Sequence, residues 1–154
     1  FFMKISTKIR HIGLVVPNLK KSLDFWCKKL GFKIFKKLEE EGPVIDAIIG
    51  YKNVKLKTVK ISDKNGNLIE LLYFKNPPIE KKKLKWKGNT FSKGFTHLAL
   101  KVQNIDRLYK NLRKNGIKFN SEPKISNDGK AKLTYCRTPE GVFLELVQIK
   151  NENR

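Results

Sequence analysis

The sequence predicts an α+β protein built from two βαβββ modules in tandem. Three observations predict it. A strand-then-helix pattern occurs twice, each half closes with a turn and an apolar strand, and one histidine and one glutamate recur at matching places. His11 opens "HIGLVVPNLKKSLDFWCKKLGFK" and His97 opens "HLALKVQNIDRLYKNLRKNGIK". Downstream, "GNLIEL" carries Glu70 and "GVFLEL" carries Glu145. His11 and His97 are the only histidines in the chain. The first module is expected over residues 8–75, a Lys/Pro-rich connector over 76–94 and the second module over 95–149, with tails at 1–7 and 150–154.

In the first half, "KIRHIGLVV" alternates as a strand with Ile9, His11, Gly13 and Val15 on one face. "PNLKKSLDFWCKKLG" reads as a helix with Asn18 as N-cap and Gly31 as its stop. Leu19, Leu23, Trp26 and Leu30 recur at helical spacing and are expected inward, with Lys20, Lys21, Lys28 and Lys29 in water. "FKIFKKLEE" alternates as a strand. "VIDAIIGY" is strand-like or a short helical turn, and "VKLKTVKIS" is a strand. "DKNG" is a turn, with "NLIELLYF" as the strand that follows.

Residues 75–94 hold two prolines, two glycines and five lysines between Lys81 and Lys87, the composition of a solvated connector. The order of elements then recurs. "FTHLALKV" is a strand, and "NIDRLYKNLRKNG" a helix capped by Asn104 and stopped by Gly116. "IKFNSEPKIS" and "AKLTYCRT" are strands joined by "NDGK". "PEG" turns into the last strand, "VFLELVQI". The histidine precedes the N-cap asparagine by seven residues in both halves. The glutamate follows its histidine by 59 residues in the first half and 48 in the second, which fits an insertion around "EEEGPVIDAIIG".

Composition narrows the function classes. The chain has 154 residues and is 40% hydrophobic, enough for a packed core despite 31% charged residues. No apolar run approaches the roughly 20 residues that span a bilayer. The start has no signal-peptide pattern, and Phe1 and Phe2 read as additions ahead of Met3. Two cysteines, Cys27 and Cys136, make no disulfide framework, so a reducing, cytoplasmic setting is expected. Cys136 has no third histidine to activate it as a nucleophile. The net charge is +20, but lysine supplies 29 of the 34 basic residues and is spread along the chain. Arginine is the residue of bidentate phosphate and base contacts. The charge therefore reads as compositional bias with some steering of anionic ligands, and specific nucleic-acid binding is not expected.

The chemistry lies in the acids. A strand alternates its faces, so Glu70 shares one with Leu68, Leu72 and Phe74, and Glu145 shares one with Phe143 and Val147. An uncompensated charge on an apolar face is strongly penalised. Two carboxylates brought together would repel until one took a proton. A divalent cation held by both carboxylates and both imidazoles removes that conflict. The set His11, Glu70, His97 and Glu145 suits one Zn, Ni, Co, Fe or Mn ion. Four protein ligands on an octahedral ion leave two positions for water or substrate, the mark of a reactive site.

At "HIGLVVPNLKKSLDFWCKKLGF", "GNLIELLYF", "FTHLALKV" and "TPEGVFLELVQ" the chain resembles the vicinal oxygen chelate superfamily, also called the glyoxalase/bleomycin-resistance fold. The resemblance covers about residues 8–149. It implies two βαβββ modules whose curved mixed sheets form a cup around the metal, with helices outside, and it places the metal on His11, Glu70, His97 and Glu145. In glyoxalase I all four positions are of these residue types. In methylmalonyl-CoA epimerase the position of Glu70 is commonly Gln. Extradiol dioxygenases use additional histidines that this chain lacks. Bleomycin-binding relatives tend to be acidic and lack the ligands, and fosfomycin-modifying relatives use only one of the two glutamates.

The expected function is thus a metal-dependent lyase or isomerase of the glyoxalase I type. The metal acts as a Lewis acid on two adjacent substrate oxygens, and Glu145 moves the proton with Glu70 as its partner across the site. The substrate is then a small thiol adduct, the hemithioacetal of a 2-oxoaldehyde. One alternative is epimerisation of a 2-substituted acyl-CoA, with both glutamates as bases. Another, of a different class, is a small-molecule binding or resistance protein without turnover. A fourth is nucleic-acid association through Lys81 to Lys87. A homodimer is expected, with modules combining within one chain or across two. Phe35, Asp46, Trp86 and Tyr135 are candidate pocket residues.

Overall fold

A computed structural model of the chain describes residues 7–78, 90–91 and 93–150. The lysine run from Lys81 to Lys87, with Trp86, lies outside them. The chain divides into two compact units, Phe1–Ile79 and Glu80–Arg154. Each carries one four-stranded mixed sheet, and together they reproduce the tandem βαβββ pattern.

The first sheet has the order β1 (Ile12–Val15), β4 (Leu68–Asn76), β3 (Lys55–Ser62), β2 (Lys33–Glu41). The first strand runs parallel to the last, and the other pairs are antiparallel. A parallel pair needs a crossover, which the helical segment after β1 supplies. Asn18 caps it as expected, its side chain accepting from the Lys21 N–H at 3.0 Å. The helix departs from expectation after one turn. α1 (Leu19–Leu23) passes into a π-helical segment, Asp24–Lys29. There the Leu30 N–H donates to the Phe25 carbonyl, five residues back, at 3.1 Å. The wider turn brings two large rings inward side by side. Phe25 and Trp26 are buried with Ser22, while Leu19, Leu23 and Leu30 are only half-buried. Trp26 stacks edge-on against both Phe25 and Phe32, with centroids 5.4 Å apart in each pair. Lys29 also leaves bulk water, its ammonium 3.3 Å from Asp24.

The stretch "VIDAIIGY" forms a helix, α2 (Pro43–Ile49), rather than a strand. Gly42 takes a φ of 101° ahead of it and Gly50 a left-handed φ of 75° after it, conformations that turn the chain sharply at both ends. Pro43 fits the first helical turn, where its missing N–H costs nothing.

The register sorts the sheet residues into two faces. Val59 pairs Leu71 and Ile61 pairs Ile69, and all four are buried. On the opposite face Leu56 pairs Phe74, Thr58 pairs Leu72 and Lys60 pairs Glu70. One end of that second face is covered by a cluster of Ile45, Val54 and Leu56, on which Leu72 and Phe74 pack. Burying each such aliphatic side chain contributes about 1.5–3 kcal/mol.

The second sheet repeats the order as β5 (His97–Lys101), β8 (Phe143–Ile149), β7 (Ala131–Arg137), β6 (Lys124–Ile125). α3 (Ile105–Lys114) is its crossover, capped by Asn104, which accepts from the Arg107 N–H at 3.0 Å. Ile105 and Leu112 of α3 are fully buried, as are Leu144, Leu146 and Cys136 of the sheet. The expected strand "IKFNSEPKIS" shrinks to the two residues of β6, with one isolated bridge from Phe119 to Cys136. Pro123 has no N–H to offer the ladder. The carbonyl of Ser121 accepts from the Thr134 hydroxyl instead. Among the described residues no helix is long and apolar enough to cross a membrane.

Candidate functional site

In the first module Gly13 stands opposite Glu70 across the parallel β1–β4 pair. His11 lies two residues before Gly13, so it shares that face and approaches Glu70 along the diagonal. Its Nε2 is 3.2 Å from Glu70 Oε2. The other carboxylate oxygen has a partner that sequence reading missed: Lys60 Nζ, 3.4 Å from Oε1. The side chains of Lys60 and Glu70 are 15% and 17% exposed. A glycine opposite the acid leaves room here, since a Cβ at Gly13 would meet Leu72 Cδ1 at 3.3 Å. The Nδ1 atom of His11 is buried and has no hydrogen-bond partner among the described residues.

The second module builds the same figure with different neighbours. Ala99 stands opposite Glu145, and His97, two residues earlier, pairs Phe143. His97 Nε2 is 3.1 Å from Glu145 Oε2. Tyr135 occupies the cross-strand position beside Glu145 that Lys60 holds beside Glu70. Burial raises the Tyr135 phenol, and the charge of Glu145 and a hydrogen bond to it add to the effect. The phenol therefore stays protonated as a donor to the carboxylate. The His97 ring meets Tyr135 edge-on at 5.2 Å, and Tyr135 meets Phe143 at 6.5 Å. Arg137 lies 3.9 Å over the Phe143 ring and donates to the Gly141 carbonyl. Thr96, also missed, places its hydroxyl 2.8 Å from His97 Nδ1.

The structure thus brings the four sequence-derived residues together as two His–Glu pairs, each inside its own module. Among the described residues it gathers no set of three or more histidine, cysteine, aspartate or glutamate side chains around one point. A signal for Lys60 and Tyr135 was available in the sequence. Each lies ten residues before its glutamate, the spacing that an antiparallel hairpin brings into register.

The remaining candidates separate from this chemistry. Phe35 sits at a β-bulge in β2 and is exposed. Asp46 closes a loop, accepting from the N–H groups of Asn53 and Val54 at 2.9 and 2.7 Å. It borders a broad surface hollow of about 820 Å³ with Gly50, Tyr51 and Asn76, and none of His11, Glu70, His97 or Glu145 is among its lining residues. Trp86 lies outside the described residues. Cys27 and Cys136 are free thiols. Burial pushes Cys136 up to about 12, so it is a neutral core residue rather than a nucleophile.

The sequence pattern of the Glyoxalase/Bleomycin resistance protein/Dioxygenase superfamily matches residues 8–146. The chain is 29% identical over 143 residues to a probable lactoylglutathione lyase of Synechocystis sp., covering 92% of this chain and 95% of that protein. It is 28% identical over 148 residues to the lactoylglutathione lyase of Escherichia coli O157:H7, covering 96% of each. Among solved structures, a glyoxalase family protein from Bacillus cereus matches with a TM-score of 0.85 over 97% of this chain and 98% of that one. Its 19% identity makes this a likeness of fold.

Proposed function

This chain belongs to the Glyoxalase/Bleomycin resistance protein/Dioxygenase superfamily, and from that membership we propose a metal-dependent lyase or isomerase of the glyoxalase I type. The substrate is a small thiol adduct, and the reaction moves a proton at the carbon next to a carbonyl. The observation that carries the reading is the duplicated contact of an imidazole Nε2 with a carboxylate, at 3.2 Å for His11–Glu70 and 3.1 Å for His97–Glu145. Each pair offers one imidazole nitrogen and one carboxylate oxygen, a donor set that fits a borderline divalent ion. His11, Glu70, His97 and Glu145 would hold it, once a first and a second module pair, from one chain or from two copies. Bound there, the ion supplies Lewis-acid polarisation of adjacent substrate oxygens.

The two carboxylates have unequal neighbours, which assigns their roles. Glu70 is ion-paired with the Lys60 ammonium. Each also meets its histidine, but where Glu70 has Lys60 across the strand, Glu145 has the Tyr135 hydroxyl. Releasing a hydrogen-bonded carboxylate disturbs less than separating a charge pair in a poorly solvated place. Glu145 is therefore the group that takes the proton from carbon and returns it, with Glu70 as the fixed ligand. A two-base epimerisation calls for equivalent carboxylates, and this inequality weighs against it. The relatives named as lactoylglutathione lyases support a thiol adduct as substrate.

The test is to strip the protein, reload it separately with Zn, Ni, Co, Fe and Mn, and assay the methylglyoxal–glutathione adduct. Metal-restored turnover is expected, and His97→Ala is expected to lose most of the bound metal. Deuterium exchange into a 2-substituted acyl-CoA without adduct turnover would move the assignment to an epimerase. Ligand binding with no turnover under any metal would move it to a binding protein.

A further inference from the structure

We propose that Thr96 is a positioning residue for His97, its hydroxyl reversing from donor to acceptor at Nδ1 when Nε2 leaves Glu145 for a metal ion. The inference rests on the reading of His97 as a metal ligand. It follows from what each atom can do. A carboxylate only accepts, so in the neutral His97 ring the 3.1 Å contact with Glu145 requires the proton on Nε2. Nδ1 is then a lone pair, and the Thr96 hydroxyl 2.8 Å away donates to it. When Nε2 becomes a ligand atom its lone pair must face the ion. The ring stays neutral by carrying its proton on Nδ1 instead, exchanged through solvent, so no net proton is lost or gained. A hydroxyl is both donor and acceptor, and rotation about its C–O bond lets Thr96 accept from Nδ1–H without movement of the ring. The partner of the non-ligating nitrogen sets which nitrogen binds and how the ring is aimed.

His11 shows what the alternative looks like. Its Nε2 makes the same contact with a carboxylate, but its Nδ1 is buried with no partner among the described residues. A bare lone pair there is tolerable, whereas an N–H left unpaired in the same place is penalised. Among the described residues, the second module thus gives its imidazole a hydroxyl at Nδ1 and the first does not. The difference arises from one residue: threonine precedes His97, arginine precedes His11.

Thr96→Val keeps the side-chain shape and removes the hydroxyl, and Thr96→Ser restores it. Zinc affinity of the full chain is measured by competition with a chromogenic chelator, and the His97 tautomer by nitrogen-15 NMR of histidine-labelled protein. In the wild type the proton is expected on Nε2 without zinc and on Nδ1 with it. Thr96→Val is expected to weaken zinc binding by about tenfold or more, with Thr96→Ser close to wild type. The thermal midpoint of the metal-free protein should move little, since the bond lost is solvent-exposed, which separates aiming from folding. In a His97→Ala background the valine change should have no further effect on zinc affinity. Equal zinc affinity in wild type and Thr96→Val overturns the inference and leaves the metal reading standing. Equal weakening with and without His97 also overturns it. A wild type that binds no zinc overturns both.

Discussion

Replacing Lys60 by methionine removes one charge from a carboxylate whose other partner stays in place. Lys60 Nζ is 3.4 Å from Glu70 Oε1, and both side chains are mostly shielded from solvent. Coulomb's law gives a unit pair at that separation about 1 kcal/mol in bulk water and about 5 kcal/mol at an effective dielectric of about 20. Desolvation of the ammonium and carboxylate offsets most of the larger figure, leaving a net contact of about 1–2 kcal/mol. Methionine preserves the apolar stem, so the metal-free variant should lose about that much stability. The loss reads as a lower urea midpoint at an unchanged slope. For metal binding the sign reverses. In the wild type a divalent ion at Glu70 must share the carboxylate with the ammonium and tolerate a like charge beside it. Without Lys60 neither cost remains, and zinc should bind about 5–30-fold more tightly, at tenfold per 1.4 kcal/mol. Chelator competition on the folded protein measures this. A variant of wild-type stability and wild-type zinc affinity would show that Lys60 does not engage Glu70 in solution. A variant that is less stable and binds zinc more weakly would refute the competition between the two cations.

Glu145→Gln keeps an acceptor for Tyr135 and His97 but cannot take a proton. It should lower kcat by about 10²–10⁴-fold with a stability change within about 1 kcal/mol; unimpaired turnover would remove Glu145 as the base. Cys136 is fully buried and its thiol is pushed up to about 12. A thiol reagent at mildly alkaline pH should leave it unlabelled in the folded protein and label it after denaturation, with peptide mass spectrometry as the readout. Burial raises the Asp63 carboxyl, but donors from Asn67, Asn65 and Gly66 outweigh it and hold the group below its ordinary value. Its contribution is therefore present above the ordinary aspartate pKa and lost as the pH falls through the depressed one. Acid unfolding below about pH 4 should be shallower in Asp63→Asn than in the wild type; parallel curves would contradict the assignment.

The legible part of this protein is what alternation and repetition encode. Period-two patterning placed Glu70 with Leu72 and Phe74 and Glu145 with Phe143 and Val147, and the register agrees. Local capping chemistry placed Asn18 and Asn104 at helix starts, because an N-cap depends only on residues two or three along the chain. Less legible were segments where local signals compete. "VIDAIIGY" is rich in β-branched residues, yet glycines at both ends and a proline at the first turn enclose a helix. "DFWCKK" counts as an ordinary helix by period, yet packing Phe25 beside Trp26 widens it to a π turn. Pro123 breaks a stretch that alternates well enough to read as a strand.

The amino-acid order alone therefore determined the duplicated modules, their strand faces and the His–Glu pair that each one carries. Those follow from side-chain direction along a strand, which needs no knowledge of what lies opposite. Only the folded chain decided the hairpin register that sets the residue ten before each acid beside it, Lys60 next to Glu70 and Tyr135 next to Glu145, and put Thr96 behind His97. Cross-strand neighbours depend on hairpin register, and hydroxyl partners on rotamers within an ångström or so. These neighbours make the two halves chemically unequal, although their patterns in the sequence are nearly the same.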